Sequence, residues 1–164
     1  MIDKTLSPGL HLIANGVFVI SAQHGGQVRG FTATWVSQAS FENPLVMISV
    51  SKSHGTYPLI VSSNKFFVNV LGASQVDIAR HFGRKKSPSE TNAEYFREEL
   101  GQVTPVLKDC LAALECDVIS SHDAKDHTIF VGEVVKASVF REDDPLIYWR
   151  RGRYAKPQRI GDVP

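Results

Sequence analysis

Residues Gly30-Phe31-Thr32-Ala33-Thr34-Trp35-Val36-Ser37-Gln38-Ala39-Ser40-Phe41-Glu42-Asn43-Pro44 combine small hydroxylated side chains, two large aromatics and an amide. Their chemistry is recognition rather than bond making. Hydroxyls and backbone N–H groups beside an aromatic wall suit a flat heterocycle with a polar or phosphorylated tail. A second reading of the same residues is a strand running into a polar loop, with Trp35 and Phe41 in the core. Reactive groups are scarce elsewhere. The chain has no Gly-x-Gly, no phosphate loop ending in Gly-Lys-Ser/Thr and no Gly-x-Ser-x-Gly turn. His122 and His127, with Asp123 and Asp126, are metal-ligating types. Their spacing within a loop sets no pair on one face, so no metal site is expected. No carboxylate pair stands out for acid–base work, and a bound cofactor is left to carry the chemistry.

The surrounding elements must place these residues. Val17 to Ala22 is β-branched and aromatic, His24-Gly25-Gly26-Gln27 supplies a turn, and Val28 to Thr34 returns as the second strand of a hairpin. Pro44 to Val50 reads as a third strand, apolar on both faces and so central. Ser53 to Ser63, with Pro58 near its start, reads as a short helix or turn, and Phe66 to Leu71 as the fourth strand. Two helices are expected next. Ser74 with Asp77 caps a segment ending near Phe82, with Val76, Ala79 and Phe82 inward. Thr91 with Glu94 forms a capping box ahead of a stripe made by Tyr95, Phe96 and Leu100. The basic run Gly83-Arg84-Lys85-Lys86-Ser87-Pro88-Ser89 lies between them.

After Pro105 strands resume, with Leu114, Cys116 and Val118 alternating against Glu115 and Asp117. His122 to His127 reads as a polar connection. Thr128 to Phe140 is long for one strand, and Gly132 inside it suits a bulge in a curved, closing sheet. Leu146 to Arg150 is a last short strand before a basic tail from Arg151. About seven strands, with helices grouped mid-chain, do not alternate β–α–β. The fold class is therefore mainly β (α+β), a mostly antiparallel barrel.

The length of 164 residues suits one domain, and 43% hydrophobic with 21% charged residues is ordinary globular composition. A net charge of +1 gives no global attraction to nucleic acid or to a membrane surface. No apolar run approaches the roughly 20 residues of a membrane span, and the N-terminus has no signal pattern. Cys110 and Cys116, separated by five residues, fit buried thiols in a reducing cytoplasm better than a disulfide or zinc site.

Six short segments, in order, resemble the flavin reductase-like domains of the FMN-binding split-barrel superfamily, over about residues 9–155. They are Gly30-Phe31-Thr32-Ala33-Thr34 through Ser37 and Ser40 to Pro44, then Val50-Ser51-Lys52-Ser53 with Thr56. Phe66 to Leu71, Ala79-Arg80-His81-Phe82 and Asp126 to Val134 follow. Pro145 to Arg150 with Gly152-Arg153-Tyr154 is the last. The resemblance implies an antiparallel split β-barrel with two or three short helices, in one domain over 1–164 with a tail at 156–164. It also implies a homodimer with one FMN per subunit at or near the interface.

Carried over residue by residue, Thr32, Ala33 and Thr34 become the strand edge that meets the flavin ring. Ser37 and Gln38 would reach its pyrimidine side or ribityl chain. Ser51, Lys52, Ser53 and Thr56 match the family's phosphate-binding segment. Trp35 either flanks the ring or packs beneath it. Arg84, Lys85 and Lys86 either add charge near the phosphate or form a solvated basic loop. His127 matches a histidine that lies over the flavin near the nicotinamide, its other reading being a strand-start histidine bonded to backbone. Trp149, Arg153 and Tyr154 border the pocket, often across a subunit interface in the family. The family usually has Gly-Asp-His where this chain has Lys125-Asp126-His127, and Lys125 is compatible with a charge at the pocket edge. Trp35 and Gln38 are also similar to reductase domains attached to rubredoxin or flavodiiron modules.

The function implied is an NAD(P)H:flavin oxidoreductase, with NAD(P)H as co-substrate. Reduced flavin or electrons would pass to a partner monooxygenase or another electron-acceptor protein. Two alternatives remain open: a tightly bound FMN electron-transfer protein reduced by a protein donor, and a barrel without flavin.

Overall fold

The structure is a computed structural model, and it describes residues 7–84, 93–149 and 153–157. A one-turn helix, α1 (Ser7–Leu10), leads into β1 (Asn15–Gly16), β2 (Phe18–His24) and β3 (Gln27–Ala33). Gly25 and Gly26, at φ 57° and 75°, make the β2–β3 turn, where two consecutive left-handed residues match the right-handed strand twist. Then come β4 (Val36–Gln38), β5 (Leu45–Ser51), α2 (Tyr57–Ser63), β6 (Lys65–Val70) and α3 (Val76–Phe82). The later strands are β7 (Phe96–Glu99), β8 (Gln102–Leu107), β9 (Ala112–Ala124), β10 (His127–Val139), β11 (Ile147–Trp149) and β12 (Arg153–Ala155).

Seven strands form one antiparallel sheet in the order β3-β2-β6-β9-β10-β5-β4. This curled half-barrel is the fold class expected, an antiparallel split barrel, with three short helices among the described residues. One core cluster fills it, including Ile20, Ile48, Ile60, Phe66, Val68 and Phe130. A second, with Val19, Leu71, Phe82, Phe96, Leu107 and Leu146, sits under α3 and β8. β8 is fastened through Asn69, which is fully buried. Its side-chain amide donates to Val19 O at 3.1 Å and Pro105 O at 3.3 Å, and its Oδ1 accepts Leu107 N–H at 2.8 Å. The register of β10 on β9 shifts at Val131/Gly132, as the internal glycine suggested. A Cβ on Gly132 would stand 2.6 Å from the buried Phe66 ring, so the glycine also makes room for the core.

Several expectations are corrected. The helix expected after Thr91 is absent among the described residues. Ala93–Tyr95 makes a single 3-10 turn, and the chain becomes β7. Phe96 is buried against the position of Gly30, whereas Leu100, fully exposed at φ 51°, forms the β7–β8 turn with Gly101. A hairpin buries the aromatic and solvates the turn, so tertiary packing overrides the helical spacing. Thr91 itself lies outside the described residues. The N-cap of α3 is Gln75 rather than Ser74, and no side chain caps it. Gln75 instead accepts Gly72 N–H at 2.8 Å and donates to Asp109 O at 2.8 Å, joining two loops.

The described residues also form more strands than the expected seven or so. β9 runs through His122 to Ala124, which shortens the polar connection to Lys125-Asp126, and β8 already begins at Gln102. Arg153–Ala155 in the expected tail pairs with β11. β5 is flanked on both sides, but by the edge strand β4 on one of them, and Met47 is 42% exposed. No helix among the described residues is long and apolar enough to cross a membrane.

Candidate functional site

β3 is an outer strand of the large sheet, so one row of its backbone N–H and C=O groups faces away from β2. Beside that edge lies a cleft of about 280 Å³ lined by Phe31, Thr32, Ala33, Thr34, Trp35, Ser49, Ser51, His54 and His127. Four segments build it. The chain leaves β3 through Thr34 and Trp35, and the Ser49 N–H donates to Trp35 O at 3.1 Å, pinning this exit to β5. Pairing of β5 with β10 sets Ser51 opposite His127. The loop after Ser51 then turns back across β3.

Trp35 is 57% exposed and Phe41 completely so, which removes the reading that placed both in the core. The Trp35 ring lies 5.1 Å from the His127 ring, tilted by 53°. His127 does begin a strand, but its Nδ1 is 3.1 Å from Asp126 Oδ1, so a carboxylate and not a backbone group holds it. That hydrogen bond keeps the Asp126 carboxyl below the usual carboxylate range. With Nδ1 engaged, Nε2 is the ring nitrogen left for a ligand.

The Ser51–Thr56 loop is closed by its own hydrogen bonds. His54 N–H donates to Ser51 O at 3.0 Å, and Ser51 Oγ and Ser53 Oγ are 3.0 Å apart. Lys52 reaches out of the loop to Asp123 Oδ1 at 2.8 Å, while its backbone N–H donates to Asp126 O at 3.0 Å. Asp123 also accepts Lys125 N–H at 2.8 Å. The Lys52 ammonium first, and the Lys125 N–H second, hold the Asp123 carboxyl below its ordinary value. Thr56 lies under the loop, and its Oγ1 is buried with no hydrogen-bond partner among the described residues.

The cleft thus gathers Thr32, Ala33, Thr34, Trp35, Ser51 and His127, with Lys52, Ser53 and Thr56 in the adjoining loop. The Thr32 hydroxyl is occupied, donating to Ala79 O of α3 at 2.7 Å, which leaves the strand backbone as its contribution. Ser37 and Gln38 stand beyond Trp35: Ser37 lines two neighbouring clefts of about 260 and 350 Å³, and Gln38 the larger of them. Trp149, Arg153 and Tyr154 lie in the small sheet β1-β11-β12. That sheet meets the cleft region through Asn15 of β1, which lines the smaller of those two clefts. Arg84 is exposed just past α3, and Lys85 and Lys86 lie outside the described residues.

Sequence reading missed His54. Its ring packs on Phe31 with centroids 4.3 Å apart, and burial pushes its pKa below the ordinary 6.5. A histidine set among Ser51, Ser53 and Thr56 was the available signal. Lys125 also receives its explanation here. It has φ 67° and is the first of two residues joining His127 to Ala124 across the β9–β10 turn. A positive φ at that residue favours glycine, which has no Cβ to clash. The glycine usual at this position in the resembled family therefore answers a backbone need.

A profile of the family described as flavin reductase like domain matches residues 10–157. The chain belongs to that family. The reductase component of 4-hydroxyphenylacetate 3-monooxygenase from Thermus thermophilus is 35% identical over 150 residues, covering 91% of this chain and 93% of that protein. Among solved structures, the flavin reductase PheA2 superposes with TM-score 0.80 at 31% identity, covering 97% of this chain and all of the other. Streptomyces globisporus NADH:FAD oxidoreductase SgcE6 superposes with TM-score 0.83 at 27% identity, covering 97% and 98% of the two chains.

The residues of this flavin reductase family member fit a flavin. A strand edge offers backbone donors to a ring edge, and Trp35 and His127 offer flat faces. The Ser51–Thr56 loop offers hydroxyls and an ammonium, with Thr56 Oγ1, unpartnered among the described residues, as a further donor in the same segment.

Proposed function

We propose that this chain is a single-domain, cytoplasmic, homodimeric flavin reductase. It binds FMN, takes hydride from NAD(P)H and passes reduced flavin or electrons to a partner monooxygenase or other acceptor protein. The observation that carries the reading is the cleft at the open edge of β3, walled by Trp35 and His127 and floored by Ser51, in a chain of the flavin reductase family. The names of the Thermus thermophilus and Streptomyces globisporus relatives support the monooxygenase partner and the pyridine-nucleotide donor for those proteins.

When bound, the flavin supplies the hydride acceptor, and the protein groups position rather than react. The β3 edge from Thr32 to Thr34 would orient the ring by backbone hydrogen bonds. Ser51, Lys52 and Ser53 would hold the phosphate, with the ammonium shared between it and Asp123. His127, fixed by Asp126 and packed near Trp35, would present Nε2 at the cleft mouth, where it can align the nicotinamide and exclude water.

A cleft of about 280 Å³ is at the small end for a cofactor site, which supports completion by a second subunit. Exposed apolar residues on three adjacent strands support the same dimer: Met47 of β5, Ile119 of β9, and Val135 and Val139 of β10.

The decisive experiment is the visible spectrum of the FMN-loaded chain, followed anaerobically as NADH and then NADPH are added. Rapid bleaching of the flavin bands establishes the reductase and its donor. Bands that persist with both nucleotides refute nicotinamide as donor and leave the electron carrier reduced by a protein. A chain that takes up no FMN refutes both.

A further inference from the structure

The seven-stranded sheet ends on β3 and β4, and these two edges do not pair with each other, so the barrel is not closed. Beside β4 its interior holds the apolar cavity of about 350 Å³, lined among others by Phe18, Val36, Val46, Val68, Leu114 and Val134. It shares no lining residue with the flavin cleft. All six of these side chains belong to the core that fills the barrel or pack against it, yet Phe18, Val36, Leu114 and Val134 are only partly buried in one chain. The cavity thus leaves core surface in contact with water, which is unfavourable in proportion to its area.

The rim of this cavity carries a side chain of the kind that would fill it. Residues 39–44 join β4 to β5, and Phe41 within them is wholly exposed. Hydrogen bonds fix the shape of this loop. Ala39 N–H donates to Leu45 O at 2.8 Å, Leu45 N–H to Asn43 O at 2.7 Å, and Gln38 Nε2 to Ser40 O at 3.1 Å. The loop is also fastened to the cavity wall, since Val134 N–H donates to Pro44 O at 2.8 Å. Gln38 and Pro44, on either side of Phe41, both line the cavity, whereas Phe41 does not. An apolar cavity of about 150 Å³ already admits a benzene ring, so this one has room for a phenyl group. A loop shaped in advance loses little freedom when its aromatic is buried.

We infer that Phe41 of each copy of this chain enters the β4-side cavity of the other, so that two copies plug one another about a twofold axis. This rests on the homodimer of the proposed reading and names the contact that builds it. A twofold interface uses the same patch on both copies, so the protruding group and its socket must lie side by side on one chain. The 39–44 loop and the cavity meet that condition. Met47, next to the lining residue Val46, and Val135, next to Val134, are exposed and continue the apolar surface outward from the rim. Val36 lines the cavity and directly follows Trp35, so the plug also backs one wall of the flavin cleft.

Sedimentation velocity of the whole chain over a concentration series tests the association. Phe41 is wholly exposed in one chain, so Phe41→Ser removes the plug without disturbing the fold. It should raise the dimer dissociation constant by about a hundredfold or more, about tenfold for each of the two insertions. Phe41→Leu, still apolar, should keep most of the association. Photo-crosslinking from p-benzoylphenylalanine at position 41, in a mixture of isotope-labelled and unlabelled chains, locates the ring by mass spectrometry. The expected adduct joins two copies and falls on the cavity lining, at residues 44–46 or at Val134. A dimer that Phe41→Ser leaves equally tight, or an adduct outside the cavity or within one copy, overturns this inference alone. A wild-type chain that stays monomeric at every concentration overturns the homodimer reading, and this inference with it.

Discussion

Replacing Lys125 with glycine should make the protein more stable. Lys125 is exposed, and its φ of 67° is forced by the two-residue turn between Ala124 and His127. A left-handed backbone costs an L-residue about 1–2 kcal/mol, because Cβ approaches the following carbonyl oxygen. Glycine escapes that cost but loses about 0.5–1 kcal/mol through its greater freedom in the unfolded chain. The Lys125 N–H bond to Asp123, at 2.8 Å, comes from the backbone and survives the change. The net gain is therefore about 0.5–1 kcal/mol, which in a chain of this size raises the Tm by about 1–4 °C. Thermal melts followed by circular dichroism would measure it. Lys125→Ala is the control, for it removes the same charge and keeps the strained φ, so it should not stabilise. Equal melting temperatures for the glycine and alanine variants, or a lower one for glycine, would refute the assignment of strain to this turn.

His127→Ala should slow anaerobic reduction by the pyridine nucleotide by about tenfold or more, through loss of alignment, while FMN stays bound. Stopped-flow reduction beside an FMN titration separates the two, and an unchanged rate would make His127 structural. Gly132→Ala should cost about 1–3 kcal/mol through overpacking, read as a lower urea midpoint, because the new methyl would meet Phe66 at 2.6 Å and Cys116 Cβ at 2.9 Å. An unchanged midpoint would contradict this packing. His54 titrates below 6.5 in the folded chain, so between that lower value and 6.5 only the unfolded chain carries the proton. Stability should fall as pH drops from 7.5 to 5.5, and more steeply in the wild type than in His54→Gln. Urea midpoints at the two pH values test the sign, and identical slopes would defeat it.

Local patterns carried much of the architecture. The Gly25-Gly26 hairpin is written in residues that tolerate positive φ, and the bulge at Gly132 is written in one missing side chain. Alternation about Cys116 marked β9, and the ordered segments from Gly30 to Tyr154 carried the family. Where a local signal competed with packing, packing won. Tyr95, Phe96 and Leu100 have helical spacing, yet Phe96 gains more by packing near Gly30 in a hairpin than a short helix would bury.

The candidate site divides along the same line. The sequence by itself determined which chemistries were at hand: the Ser51 to Thr56 hydroxyls with Lys52, the aromatic Trp35, and His127 behind Asp126. Only the tertiary structure decided which of them meet. β5–β10 pairing brings Ser51 to His127, and Asp123 ties Lys52 to a turn 71 residues away. Exposure of Trp35 and the neutral tendency of His54 were also invisible in order of residues. The physical reason is that spacing reports on neighbours within one turn or one strand. Contact, burial and local charge are set by segments far apart in the chain, once the sheet has closed around its core.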